Sequence, residues 1–87
     1  MSVLTVTSAG SAQTAEDEFA RGRALRAQHQ DAEALAVFRT LFERTHTPSA
    51  LAQCGLAEGA LGRWVDAEAH LAEALALPAD EWVRANR

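Results

Sequence analysis

Between residues 15 and 77, apolar positions recur at spacings of three and four, separated by short polar stretches. That is the period of a helix face, not the alternation of a strand. Leu35, Phe38, Leu41 and Phe42 form one wide stripe and predict a helix over 32–44. Val65, Leu71, Ala74, Leu75 and Leu77 predict another over 64–77, with these side chains turned inward. Phe19, Ala20 and Leu25 mark a sparser stripe over 15–28.

The breaks between stripes carry their own chemistry. Thr14 precedes Ala15-Glu16-Asp17-Glu18, so its hydroxyl can cap a helix start, with Asp17 at the reciprocal position. His29-Gln30-Asp31 makes the first turn. In Thr45-His46-Thr47-Pro48, Thr47 suits an N-cap and Pro48 the first helical position, where a missing N–H costs nothing. A third helix should run over 48–61 and end at Gly62 in the left-handed conformation. Pro78 ends the fourth helix, and Asp80 can cap a terminal helix over 80–87. Trp82 and Val83 on that helix would cover the last hairpin. Residues 1–13 read as a flexible leader, leaving a helical domain over 14–87.

The chain half-repeats itself at an offset of 33 residues. Gly22 recurs as Gly55, Ala34 as Ala67, Phe38 as Leu71 and Leu41 as Ala74. A period in the low thirties signals stacked helix hairpins. Gly22-x2-Leu25, Ala34-x3-Phe38 and Pro48, then Leu51-x2-Cys54-Gly55, Ala67-x3-Leu71 and Pro78, resemble tetratricopeptide repeats. The first repeat would span about 15–47 and the second about 48–78. The resemblance implies an all-α fold of stacked antiparallel hairpins, about five helices in all. Gly22, Gly55, Ala34 and Ala67 would let helix backbones approach, and Phe38 and Leu71 would fill the space between. The first helices depart from the motif: Glu18 and Arg21 stand where Trp and Leu are usual, and Glu58 replaces an aromatic.

The resemblance also implies a concave groove lined by the first helix of each hairpin. By register, Glu16, Phe19, Arg23, Arg26 and Ala27 would line it in the first repeat. Ser49, Ala52, Gln53, Leu56 and Ala60 would do so in the second. Of these, Phe19, Arg23, Arg26, Gln53 and Leu56 are the candidate peptide contacts. Arg23 and Arg26 share a face and could grip a carboxylate, unless they pair with Glu16, Asp17 or Glu18.

Composition narrows the function. The 87 residues carry a net charge of −4, with no Lys and no Tyr. That balance disfavours binding to nucleic acid or to an acidic membrane surface. No apolar run reaches the roughly 18 residues of a membrane span. The single Cys54 excludes an internal disulfide and suits a small buried packing position. His29, His46, His70 and Cys54 lie at no metal-binding spacing, so neither metal nor cofactor is expected. The carboxylates read as solvated helix faces, His70 as lying on the outer side of its helix, and nothing points to an enzyme. The expectation is a protein–protein interaction module that binds a peptide or helix. It would belong to a longer bacterial protein or assembly, since the helical pattern runs to Arg87. A cytoplasmic location is expected, or a periplasmic one if a leader was trimmed. Two alternatives are a structural spacer or homo-oligomerisation unit, and a small chaperone resembling those of bacterial secretion systems.

Overall fold

The computed structural model describes residues 14–80, and the leader and the terminal helix with Trp82 and Val83 lie outside them. The described chain is all-helical: α1 (Ala15–Ala27), α2 (Asp31–Thr45), α3 (Pro48–Ala60) and α4 (Trp64–Ala76). These are two antiparallel hairpins stacked in chain order, with α1 on α2, α2 on α3 and α3 on α4.

Each boundary has a local cause. Thr14 Oγ1 accepts from the Asp17 amide at 3.1 Å, and Asp17 Oδ2 accepts from the Thr14 amide at 3.4 Å. This capping box satisfies free N–H groups at the start of α1, where Glu16, Asp17 and Glu18 also suit the helix dipole. Between α1 and α2, His29 takes a left-handed φ of 63°. His46 does the same after α2, with φ 53°, and its amide donates to the Phe42 carbonyl. Gly62, at φ 81°, closes α3 in the expected conformation.

The start of α3 differs from expectation. Thr47 has the extended backbone of an N-cap, yet its side chain makes no capping bond. Its hydroxyl pairs instead with Thr45 Oγ1 at 3.1 Å. The Ser49 amide is satisfied by Asp80 Oδ2 at 3.1 Å, which ties the end of the described chain to the start of α3.

The core follows the stripe of α2, where Ala34, Leu35, Phe38 and Leu41 are buried. Helix α3 is the middle layer. Ten of its 13 residues are buried, so it has no polar face, and its small side chains keep both neighbours close. The glycines show the repeat directly. A Cβ at Gly22 would stand 2.5 Å from the Phe38 ring, and one at Gly55 would stand 2.7 Å from Leu71 Cγ. The same small-against-large contact therefore occurs in both hairpins, 33 residues apart.

Helix α4 corrects the inward assignment of its stripe. Ala67 and Ala74 are buried and Leu71 is half-buried, but Val65 is 81% and Leu75 76% exposed. At 100° per residue, Val65 lies about 200° from Ala67, and Leu75 about 100° from Ala74. The apolar positions of α4 thus wrap around most of the helix, and only one side of it meets α3.

Candidate functional site

A cleft between α1 and the first turn of α3 lies at several of the expected groove positions. Ala15, Glu16, Phe19, Ala20 and Arg23 form one wall, with Thr47, Ser49 and Asp80 opposite and Leu41 and Thr45 beneath. It encloses about 510 Å³ and its lining is mostly apolar. Phe19 is held there by an edge-to-face contact with Phe38, centroids 5.5 Å apart and planes at 70°. Arg23, on the α1 wall, has no ion-pair partner among the described residues. Glu16 and Asp80 stand around it, and Asp80 is already engaged by the Ser49 amide.

The structure divides the five candidate contacts. Phe19 and Arg23 line the cleft. Arg26 does not: its Nη1 donates to Gln53 Oε1 at 3.1 Å, and its Nε lies 3.6 Å from Asp31 Oδ1. Gln53 is buried, so this α1–α3 bridge consumes both side chains and closes the groove at its middle. Leu56 lies about 4.5 Å further along α3 than Gln53, facing a separate opening beside α4. The alternative pairing of the arginines with nearby acids is met by other partners: Glu18 Oε2 binds Arg44 Nη1 at 2.9 Å, across the first hairpin.

A second polar centre was hidden in the sequence. Glu58 is fully buried, against the expectation of a solvated carboxylate. Its Oε1 lies 2.7 Å from His70 Nδ1, so His70 faces α3 rather than the outer side of α4. Arg39 Nη2 of α2 stands 4.0 Å from Oε2, which has no hydrogen-bond partner. The cluster links three helices. The signal that could have found it is the repeat offset, which aligns Glu58 with Leu25 and His70 with Val37, an apolar pair in the first hairpin. Among the described residues, no group of three or more potential ligands is placed to hold a metal ion.

Cys54 shares the buried side of α3. Burial, reinforced by Glu58 and opposed by Arg39, pushes its thiol from 9.0 up to about 11. A thiol harder to ionise when folded stabilises the fold fully below pH 9, and that contribution is lost as pH rises through 11. Stability is therefore expected to fall by up to about 3 kcal/mol between pH 9 and 11. With no Lys or Tyr in the chain, few other groups titrate there. Urea melts at stepped pH measure the fall, and Cys54→Ala should abolish it.

Family models, curated proteins and solved structures were all compared with the chain. None matches it. No helix among the described residues is long and apolar enough to cross a membrane.

Proposed function

We propose that the chain is a tetratricopeptide-like interaction module that binds a protein partner through a short peptide or helix seated between α1 and α3. The observation that carries this reading is the cleft itself. It joins an apolar wall at Phe19 to Arg23, which has no ion-pair partner among the described residues, at positions that the repeat register assigns to a groove. The matching glycine contacts of the two hairpins support the repeat reading. Its position within a larger bacterial assembly, in the cytoplasm, belongs to the same proposal.

The chemistry selects a ligand class. Ala15, Phe19 and Ala20 offer apolar surface for one bulky side chain. Arg23 offers a planar fork for a carboxylate. The favoured ligand is a segment in which an acidic residue lies close to a bulky apolar one. Selection from a random displayed-peptide library against the immobilised chain should enrich that pairing. Arg23→Glu should weaken the selected peptides by about tenfold or more, the worth of one charge-assisted contact, while leaving the helical circular dichroism intact. Affinity unchanged by Arg23→Glu contradicts the assignment of the cleft.

A further inference from the structure

The described chain ends inside the cleft. Beyond α4 it passes through Pro78, and Asp80 reaches the start of α3, where its Oδ2 accepts from the Ser49 amide at 3.1 Å. Thr47, the residue placed to cap α3, makes no such bond. Asp80 stands in for it. Asp80 lines the cleft together with Phe19 and Arg23. It does not line the open groove between α3 and α4, where Leu56, Trp64, Leu71 and Leu75 lie. The chain therefore leaves residue 80 on the α1 side of α3.

The sequence that follows is Glu81-Trp82-Val83-Arg84. It sets an acidic residue beside a bulky apolar one, which is the pairing that the cleft favours. Two residues extend a chain by at most about 7 Å, so Trp82 starts close to the cleft wall. On α1, Phe19 and Arg23 are one turn apart, about 6 Å, and share a face. The charges also answer one another. Arg23 and Glu16 lie about 10 Å apart along α1. Glu81 and Arg84 carry the opposite signs and are up to about 10 Å apart in an extended chain. A cleft of about 510 Å³ has room for one indole and the backbone that carries it.

We propose that residues 81–84 sit in the cleft as an internal ligand, with Trp82 on the wall of Ala15, Phe19 and Ala20 and Glu81 paired with Arg23. This rests on the reading of the cleft as a peptide site and adds its regulation. A partner peptide binds only while the chain's own segment is out. The Ser49–Asp80 bond keeps the tether short, so the segment competes at an effective concentration on the order of millimolar. The apparent affinity of any partner falls by the fraction of clefts left empty. Trp82 is thereby drawn away from the last hairpin, and the groove between α3 and α4 stays open.

Nuclear Overhauser contacts of the Trp82 indole in the full chain test the placement. The expected result is cross-peaks to Phe19 and Ala20 within one chain. Cross-peaks to Trp64, Leu71 or Leu75, contacts that arise only between chains in a mixed-labelled sample, or no cross-peaks to Phe19 overturn it. A synthetic peptide of residues 78–87, added as the probe, tests the regulation. It should bind the Trp82→Ala chain at least about tenfold more tightly than the unaltered chain. Adding Arg23→Glu to Trp82→Ala should reverse most of that gain, with the helical circular dichroism intact. Equal affinity for the Trp82→Ala and unaltered chains overturns the proposal, while shifts of the Phe19 and Arg23 amides on peptide addition would leave the cleft standing as a peptide site. Binding to neither chain, together with no display-selected peptide, overturns both.

Discussion

Phe38→Ala is expected to cost about 3–5 kcal/mol, most of the stability available to a chain of this size. The ring is fully buried at the centre of the first hairpin. It fills the space that Gly22 leaves open, supports Phe19 edge-on and joins the cluster that α3 covers. Removing it leaves a cavity that the surrounding backbone cannot easily close, because α3 is already packed on both sides. Leu71→Ala, at the equivalent place in the second hairpin, should cost visibly less, since Leu71 is only half-buried and borders the open groove. Chemical denaturation followed by circular dichroism measures both. Equal losses would contradict the picture of a well-covered first hairpin and an open second one.

The second large effect concerns Glu58. The cost of a buried carboxylate is offset here by His70 at 2.7 Å and, more distantly, by Arg39. His70→Ala removes the direct partner and leaves the charge buried, a loss of up to about 3–5 kcal/mol for a fully buried pair. The lower end applies, because the His70 side chain is 35% exposed and water can enter. The paired change Glu58→Leu with His70→Val should behave oppositely. It rebuilds in the second hairpin the Leu25 and Val37 chemistry of the first, and is expected to be neutral or stabilising by about 1–4 kcal/mol. A full double-mutant cycle in denaturant separates the two effects. A double variant less stable than either single change would show that Glu58 holds the helices in register by more than charge pairing.

Much of the fold was legible because it is written in local chemistry. Thr14, Pro48, Gly62 and Pro78 each act within a turn of their own position, and the helix ends fall within one residue of the expected ones. Gly22 and Phe38 were legible for a different reason, since their repetition as Gly55 and Leu71 marks a contact between helices. The burial of α3 was harder to read. Its residues are small and show no stripe, and only its place between two neighbours makes Gln53 and Glu58 interior. The same tertiary fact removed Arg26 from the groove, because Gln53 lies within its reach across α1 and α3. On α4 the apolar residues surround the helix, so periodicity could not choose between Leu71 and Leu75 as the inward member. The candidate site was therefore partly visible: Glu16, Phe19, Arg23 and Ser49 followed from register, whereas Asp80 is brought there by its bond from the Ser49 amide and Thr47 by its place at the start of α3.

The most direct test of the central claim is a titration of ¹⁵N-labelled protein with the tightest peptide from the display selection, followed by amide chemical shifts. Binding in the cleft predicts the largest changes at Glu16, Phe19, Arg23, Thr47 and Ser49, with little at Trp64, Leu71 and Leu75. Changes centred on α4, with the α1 and α3 amides still, would contradict it.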